Sequence, residues 1–433
     1  IFVISGEEST MSKPDIKDRD FMYRLIIGQL YYDGHKQLAL DLSNSIGTKP
    51  PPPPSDKLFR LVSVAKQFVD DSDVREQESI MQMDNVSGGI DLEFDADVVP
   101  ISPEPCQYET IYLTAHKAPC RAAAFNNDGT LCATGSVDTS IKILDVERVI
   151  ARETGGDVSE NGPDASNPCI RTLYDHFDEV THLVFHPREP ILVSGSRDQT
   201  VKMFDYSKMA VKRAMKTIQE VSTISTMSFH PGGEFLLVAT EHPTLRLYNV
   251  ETLQCFVGSM PSDQHTARVV DVNYSENARL YVTGSEDGDV KVWDGISNRC
   301  VETFSRAHDG AKICSARFSR NGKYILSSGL DSIVKLWELS TNRCLIAYTG
   351  AGSTGHQEHP IQASFNHNED YVMFPDEQSG SLCSWDSRNT DRKRLLALGH
   401  TAATRIFVHS PTMPAFMTGS DDFRARFWYK KQA

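Results

Sequence analysis

The sequence predicts an all-β propeller of seven blades, preceded by a small all-α domain. Three observations predict this fold class: a string that recurs, a nearly constant distance between its copies, and histidine and aspartate residues at fixed offsets within each copy. The string reads YVTGSEDGDVKVWD at 281–294, ILSSGLDSIVKLWE at 325–338 and ILVSGSRDQTVKMFD at 191–205. A motif that returns at one spacing is the signature of a repeat architecture.

Each copy closes an alternating run on an aromatic residue or a leucine. These closing residues are Leu144, Phe204, Tyr248, Trp293, Trp337, Trp385 and Trp428. They lie 60, 44, 45, 44, 48 and 43 positions apart, and removing the polar insert at 153–168 from the first interval restores 44. Seven units of this length fit four-stranded propeller blades. The alternation places each closing run on the third strand of a blade.

Histidine and aspartate keep constant distances from the closing residue. Histidine precedes it by 28 or 29 positions at His116, His176, His265, His308, His356 and His400, and aspartate precedes it by six at Asp138, Asp198, Asp287, Asp331 and Asp422. We predict a structural tetrad in each such blade. Aspartate stabilises a turn, histidine joins it to a strand hydroxyl, and the closing Trp293, Trp337, Trp385 or Trp428 donates its N–H.

Two units depart from this pattern. Unit three has Glu220 and His242 at the two places, and unit six has Ser379 in place of aspartate. We expect substitutions in unit three to cost less stability than those in complete units.

The units resemble WD repeats, with VWD, LWE, SWD and FWY at the position of the dipeptide. The resemblance implies a seven-bladed WD-repeat β-propeller.

The two ends of the repeat array are expected to meet in one blade. The last unit stops at ARFWYKKQA, one strand short of four. Because an open edge strand would recruit other chains, the missing outer strand must come from elsewhere. The alternating stretch YETIYLT at 108–114 precedes the first histidine and is the predicted outer strand of the blade that ends at Trp428.

Residues 15–69 predict a helical homodimerisation domain. Apolar residues recur at helical spacing in two stretches, PPPPP at 50–54 breaks the chain, and a third helical pattern follows Ser55. Three short helices make a thin core, so a second copy would cover the remaining apolar face. The expected contact residues are Leu25, Ile26, Leu30, Leu38 and Leu42, and residues 21–42 resemble the LisH dimerisation motif. The alternative is a monomer whose helices pack on each other or on the propeller.

The remaining segments are an extension, an acidic linker and an insert. We expect residues 1–14 to be a disordered extension, 70–107 an acidic extended linker, 108–433 the propeller, and 150–169 an insert loop within it. Residues 70–109 hold twelve acids against Arg75 alone, whereas the whole chain carries a net charge of −14. Ile90, Leu92 and Phe94 could anchor the linker against a surface, and a solvated linker is the alternative.

The sequence favours no enzyme class. GAGSTG at 350–355 has no following lysine and hydroxyl residue, so it is not a phosphate loop. The nine cysteines never form a C-x-x-C pair, which suits free thiols in a reducing compartment. A metal role for His356, His359 and His367 is outweighed by the tetrad role of His356. We therefore expect no enzymatic activity, no cofactor or metal, no membrane association and no small-molecule substrate.

Longer strings are similar to one family, the fifty-kilodalton subunits (subunit 1) of cleavage stimulation factor, WD-repeat proteins of messenger RNA 3′-end processing. They include GGIDLEFDADV at 88–98, SIKILDVER at 140–148, NRCVETFSRAHDGAKICSARFS at 298–319 and SDDFRARFWY at 420–429. The resemblance implies a scaffold in the nucleus (nucleoplasm) that supports pre-mRNA cleavage and polyadenylation. It implies a homodimer whose propeller docks on the helical-repeat subunit, which links it to the RNA-binding subunit and so indirectly to pre-mRNA.

A second class of function stays open at this point. WD-repeat substrate receptors of cullin ubiquitin ligases carry W-D-x-R, and WDSR at 385–388 matches. One short match in seven repeats is weak evidence, and Arg388 could be a charge on the rim. Stable binding to the ligase adaptor would favour this alternative.

Overall fold

Three helices and 28 strands make up the described part of the chain. A computed structural model of the 433-residue chain describes residues 16–32, 34–46, 52, 55, 90–92, 100–154, 167–208, 212–351, 355–389 and 392–430. The chain divides into two units, Ile1–Val86 and Ser87–Ala433. Within these described ranges, no helix has the length and apolar character needed to cross a membrane.

The first unit contains a helical hairpin. Its helices are α1 (Ile16–Tyr32) and α2 (Lys36–Ile46). The connecting Gly34 has φ +87°, a conformation that favours glycine. Ile27 and Ala39 are fully buried within this unit. The third predicted helix lies outside the described residues except for Ser55, whose backbone N–H donates to the Gly28 carbonyl at 3.0 Å.

The second unit contains every strand and the helix α3 (Val146–Thr154). The strands are β1 (Tyr108–Ala115), β2 (Cys120–Phe125), β3 (Leu131–Ser136), β4 (Ser140–Asp145), β5 (Cys169–Tyr174), β6 (Val180–Phe185), β7 (Ile191–Ser196), β8 (Thr200–Asp205), β9 (Lys216–Gln219), β10 (Ile224–Phe229), β11 (Phe235–Thr240), β12 (Arg246–Asn249), β13 (Cys255–Val257), β14 (Val269–Tyr274), β15 (Leu280–Ser285), β16 (Val290–Asp294), β17 (Cys300–Phe304), β18 (Ile313–Phe318), β19 (Tyr324–Gly329), β20 (Val334–Glu338), β21 (Arg343–Tyr348), β22 (Ser364–Phe365), β23 (Tyr371–Asp376), β24 (Ser381–Asp386), β25 (Arg392–Ala397), β26 (Thr404–His409), β27 (Ala415–Ser420) and β28 (Arg424–Lys430). Short 3-10 turns span Pro105–Gln107 and Pro261–Asp263.

These strands form seven antiparallel sheets of four strands, which confirms the predicted seven-bladed propeller. Blades one to six use consecutive strands, β2–β5, β6–β9, β10–β13, β14–β17, β18–β21 and β22–β25. The seventh has the order β1-β28-β27-β26, so the predicted closure by the strand at 108–114 is also confirmed. The closing residues lie on the third strands, as their alternation predicted.

Among the described residues, the core of the propeller consists of seven apolar clusters, each between two neighbouring blades. The glycine of the recurring string explains how closely blades pack. A Cβ atom at Gly284 would lie 2.6 Å from Ile313 Cγ2 in the next blade, and one at Gly135 would lie 2.6 Å from Val180 Cγ1. At these two positions a side chain would clash with the first strand of the following blade.

The expected insert loop at 150–169 needs a correction, because its first residues belong to α3. Val146 and Val149 are buried against the cluster between blades seven and one, and Ile150 packs beside them. These three residues share one face of the helix, since they lie three and four positions apart. Residues 155–166 lie outside the described residues, and β5 begins at Cys169.

The propeller has two faces with different connections. We call the one with the β1–β2 and β3–β4 connections and their equivalents the histidine face, because the predicted histidines and aspartates follow those strand ends. The opposite face carries the β2–β3 and β4–β5 connections and their equivalents. The alternation of antiparallel strands assigns every connection to one face or the other.

Candidate functional site

A chain of buried polar groups joins the strands of blade four. His265 Nδ1 lies 2.9 Å from Asp287 Oδ2, and its Nε2 lies 2.7 Å from the Thr283 hydroxyl. The indole N–H of Trp293 donates to the same hydroxyl at 2.9 Å. Asp287 also accepts the backbone N–H of Asp289 at 3.0 Å. The structure therefore brings the three predicted residues together and adds Thr283 as the shared hydroxyl.

The same chain recurs in other blades. Its members are His308, Asp331, Ser327 and Trp337 in blade five, His400, Asp422, Thr418 and Trp428 in blade seven, and His176, Asp198 and Ser194 in blade two. The histidine–aspartate distances are 3.1, 2.9 and 2.9 Å respectively. Blade two lacks the indole donor, because Phe204 stands at the closing position.

Blade one has a looser version of the chain. His116 Nδ1 lies 3.0 Å from the Ser140 hydroxyl and 3.5 Å from Asp138 Oδ2. The Ser140 hydroxyl in turn donates to Asp138 Oδ1 at 2.5 Å. Burial, assisted by the charge of Lys142, lowers the pKa of His116 to about 4 despite the opposing effect of Asp138. His116 is therefore neutral at pH 7, and a serine hydroxyl links it to the aspartate.

Hydrogen bonds favour the charged form of two tetrad aspartates, Asp287 and Asp198. Burial alone would raise the pKa of Asp287, but the hydrogen bond and the charge interaction with His265 and the backbone amides lower it below its usual value. The pKa of Asp198 is lowered in the same way by His176. These carboxylates are acceptors for donors of their own blade.

Blade three replaces the predicted residues by a different buried set, which the sequence reasoning missed. The Tyr248 hydroxyl donates to Glu220 Oε1 at 2.7 Å, and the Arg246 guanidinium pairs with Glu220 Oε2. Burial and the hydrogen bond to Glu220 raise the pKa of Tyr248. His242 is exposed. The sequence does contain a signal for this set: Glu220 lies 28 positions before the closing Tyr248, which is the distance at which other blades have histidine.

Blade six does not form the predicted tetrad, and the interpretation of His356 was wrong. His356 is exposed, whereas the neighbouring Gln357 is buried and its side-chain amide donates to the Pro375 carbonyl at 3.2 Å. Trp385 is fully buried, but its indole N–H donates to the Thr349 carbonyl at 3.1 Å. The physical reason is that Pro375 stands where the blades with a histidine–aspartate pair have serine or threonine, so no side-chain hydroxyl is offered there.

The expected homodimer residues all lie in the helical hairpin. Leu25, Ile26, Leu30 and Leu42 are partly buried within the single chain, whereas Leu38 is 61% exposed. Leu40 and Tyr32 are also exposed. A single copy therefore leaves apolar side chains of both helices in water, which is the arrangement that a second copy could cover.

Part of the acidic linker is held by the propeller rather than solvated. Ile90 is fully buried in the cluster between blades five and six, and its N–H donates to Glu369 Oε2 at 2.9 Å. Asp91 pairs with Lys323 at 2.8 Å. Residues 105–107 form a 3-10 turn, so the prediction of an extended linker over 70–107 does not hold there. Phe94 lies outside the described residues.

Arg388 of the WDSR string is not a rim charge. Its side chain is only 8% exposed, and its guanidinium lies 3.2 Å from Asp370 Oδ1. The other oxygen of Asp370 accepts the backbone N–H and the hydroxyl of Ser102 at 3.0 and 2.6 Å. A ligase contact through Arg388 would have to break this buried pair, so the geometry removes the support for that alternative.

One group of possible metal-binding side chains occurs among the described residues. It consists of Glu358, His359 and Glu377 on the histidine face. His359 Nδ1 already lies 3.1 Å from Glu377 Oε1, and the Arg405 guanidinium lies 3.6 Å from the same oxygen. A cation bound here would have to displace or face the positive charge of Arg405, so the group is better described as an ion-pair cluster.

The central channel is lined by paired groups. It has a volume of about 350 Å³. Arg121 lies 3.1 Å from Asp421, and Arg317 lies 2.5 Å from the Gln362 amide oxygen and 4.0 Å from the buried Asp271. Burial raises the pKa of Asp271, against the charge of Arg317. The channel therefore offers charges that already have partners.

Comparison with known proteins matches both units. Residues 14–70 match the family described as cleavage stimulation factor subunit 1, dimerisation domain. Residues 106–145, 167–205, 257–294 and 298–338 match the family described as WD domain, G-beta repeat. The four matched repeats correspond to blades one, two, four and five.

Three relatives of this chain differ in how much of it they match. The chain is 36% identical over 323 residues to cleavage stimulation factor subunit 50 of Arabidopsis thaliana, which covers 74% of this chain and 73% of that protein. It is 28% identical over 195 residues to pre-mRNA-processing factor 19 homolog 2 of the same plant, covering 45% and 34%. It is 24% identical over 198 residues to COMPASS component SWD3 of Saccharomyces cerevisiae, covering 44% and 56%.

Proposed function

The chain belongs to the cleavage stimulation factor subunit 1 (subunit 50) family, and we propose that it is a non-enzymatic scaffold of messenger RNA 3′-end processing. It works in the nucleoplasm as a homodimer. Its propeller docks on the helical-repeat subunit of cleavage stimulation factor, and through that subunit it reaches the RNA-binding subunit and pre-mRNA. Fold alone would not support this, because propellers serve many functions.

One observation carries the proposal: a match to a dimerisation domain is followed by a seven-bladed propeller in one chain. A propeller joined to a dimerisation domain presents each of its surfaces twice. Two copies of each partner are thereby held together. When one copy is bound at an RNA, the effective concentration of the second copy at that RNA is raised.

The exposed apolar residues of the hairpin support the dimer. Leu38 is largely exposed in a single copy although it lies in the amphipathic α2 helix. Burying a leucine side chain stabilises an interface by about 1.5–3 kcal/mol. We propose that Leu25, Ile26, Leu30, Leu38 and Leu42 together form the contact.

The internal bonding of the tetrads supports a scaffold role. In blades four, five and seven the histidine, aspartate, hydroxyl and tryptophan satisfy one another. Groups whose donors and acceptors are used inside a blade serve its packing. We therefore propose that the tetrads are structural and that partners bind on the surfaces that the blades present.

Purification of the tagged full chain from nuclear extract tests this function. We expect the helical-repeat and RNA-binding subunits of cleavage stimulation factor to co-purify in stoichiometric amounts. A matched chain without residues 14–70 should retain the helical-repeat subunit but hold one copy instead of two. Recovery of a cullin ligase adaptor in place of these subunits would overturn the proposal.

A further inference from the structure

The rim between blades five and six shows how this propeller holds a chain segment. Ile90 is fully buried there, and its carbonyl accepts the Asn321 side-chain amide at 2.6 Å. Its N–H donates to Glu369 at 2.9 Å, and the N–H of Leu92 donates to the Tyr324 hydroxyl at 3.1 Å. The rim thus binds a segment through its backbone and one buried aliphatic side chain.

A groove at the equivalent place between blades two and three is open. Its volume is about 540 Å³. Ile191, Met203 and Val250 form an apolar floor, and Met215, which is 48% exposed, forms one wall. We call it the blade two–three groove. An apolar floor beside a flexible methionine suits an aliphatic side chain, since methionine adapts to what packs against it.

The backbone shows that the two grooves are equivalent. Gly233 N–H donates to the carbonyl three residues earlier at 2.8 Å, as Glu369 N–H does at 3.0 Å. Both residues have positive φ, +86° and +60°. Ile191 begins the second strand of blade two and pairs with Asp205 on the third strand. Tyr324 begins the second strand of blade five and pairs with Glu338 on the third strand in the same way. The turn and the strand pairing that frame the two grooves are therefore the same.

The side chains explain why one groove is filled and the other is open. Gly233 stands in the place of Glu369, and Ile191 stands in the place of Tyr324, so the carboxylate and the hydroxyl that bind the linker backbone are missing here. The space beside Gly233 is taken by the His186 ring, whose Cε1 lies 2.5 Å from where a Cβ atom of Gly233 would be. Arg188 stands in the place of Asn321 and is exposed. Its guanidinium can donate to a backbone carbonyl as the Asn321 amide does.

The charges at the rim of the groove indicate what it binds. Glu189, Glu234 and Glu251 line it, are exposed, and have no ion pair among the described residues. Lys216 Nζ donates hydrogen bonds to the carbonyls of Val250 and Glu251 at 2.9 and 3.0 Å. Carbonyls do not neutralise an ammonium group, so the three carboxylates face two cations, Arg188 and Lys216. The lining keeps an excess of one negative charge, which favours a basic occupant and disfavours the phosphates of a nucleic acid.

We propose that the blade two–three groove binds an extended segment of a partner protein that inserts an aliphatic side chain and carries lysine or arginine beside it. Arg188 donates to the carbonyl of the inserted residue, and Glu234 and Glu251 pair with the basic residues. The residues of this groove are different from those of the predicted homodimer contact. The occupant is defined by two features, an aliphatic side chain and a neighbouring basic residue.

Methionine-methyl NMR on the full chain tests the groove with the peptide Gly-Gly-Ile-Lys-Leu-Lys, which is the linker segment at 88–93 with both acids replaced by lysine. The Met215 resonance is identified by Met215→Leu. We expect this resonance to shift and saturate as peptide is added. The unaltered peptide Gly-Gly-Ile-Asp-Leu-Glu should bind about tenfold more weakly, because it loses two ion pairs and gains repulsion.

Charge-reversal variants supply the control. Glu234→Lys with Glu251→Lys should weaken the basic peptide about tenfold or more. Asp178→Lys with Glu241→Lys makes the same charge change on the histidine face and should leave binding within about twofold. An unmoved Met215 resonance at about 5 mM peptide, or equal affinity in both double variants, would overturn the proposal.

Discussion

Thr110 lies opposite Trp428 in the sheet of blade seven, so residues from the two ends of the propeller share one blade. This pairing closes the ring and leaves β28 without an open edge. Deleting residues 1–114 removes nearly all of β1, and we expect the Tm to fall by about 10 °C or more. Deleting residues 1–80 should leave the Tm of the propeller unchanged. Calorimetry on both truncations checks this, and equal Tm values would contradict the closure.

The buried groups of blade three are expected to matter as much as a tetrad. Asp287→Ala leaves the Nδ1–H of His265 and the backbone N–H of Thr266 without their acceptor and should cost about 1–3 kcal/mol in the free energy of unfolding. Glu220→Gln leaves the Arg246 guanidinium without its countercharge and should cost about 3 kcal/mol. The sequence pattern predicts that substitutions in unit three cost less stability than those in complete units. The buried ion pair of Glu220 reverses that expectation for Glu220, and it still holds for the exposed His242.

Urea unfolding of the three variants measures these costs. The matched control is His242→Ala, which removes an exposed side chain and should change the free energy by less than about 0.5 kcal/mol. A cost at Glu220 no larger than the cost at His242 would contradict the role of the buried ion pair.

Buried neutral histidines should make the propeller less stable in acid. Burial lowers the pKa of His182 to about 4, assisted by Arg317, and that of His409 to about 3. The ordinary value is about 6.5, so the unfolded chain takes up protons first as the pH falls. Above about pH 6.5 these histidines do not change the free energy of unfolding. As the pH falls from there towards the pKa of the folded state, each histidine lowers the free energy of unfolding progressively.

The pH dependence of urea unfolding between about pH 7.5 and 4.5 checks this prediction. His182→Gln removes one of these groups from the central channel, so the loss of stability on acidification should be smaller by up to about 3 kcal/mol. His242→Gln, at an exposed site, should leave the pH dependence unchanged. A variant at His182 with the full pH dependence would show that His182 titrates normally.

The homodimer should be broken by charge on the hairpin. Leu38→Glu is the sharpest variant, because Leu38 is mostly exposed in one copy and a charge there spares the fold of the single chain. In a dimer it would bury an unpaired carboxylate, which is strongly unfavourable. We expect light scattering on the full-length variant to give the mass of one chain.

Leu30→Glu with Leu42→Glu should give the same mass, although these partly buried residues also contribute to the hairpin itself. Circular dichroism separates loss of the dimer from loss of the helices. Asn44→Glu, an exposed polar position on α2, is the matched control and should remain dimeric. A dimeric Leu38→Glu chain would contradict the predicted contact.

The repeat pattern was sufficient to predict the blades, their number and the closing strand. The reason is that each blade is built from strands adjacent in sequence, so hydrophobic alternation and one repeated spacing describe it locally. The distance from His265 to Asp287 is set within a single blade for the same reason. These features need no knowledge of how distant segments meet.

Tertiary structure alone decided the contacts that have no repeat. Ile90 meets Glu369, and Arg388 meets Asp370, across segments whose spacing follows no period. In blade six, Pro375 removes the hydroxyl that a histidine would need, and Gln357 takes the buried place instead. Such outcomes depend on which side chains face each other after the ring has closed, because burial and pairing belong to the packed molecule and not to a string of residues.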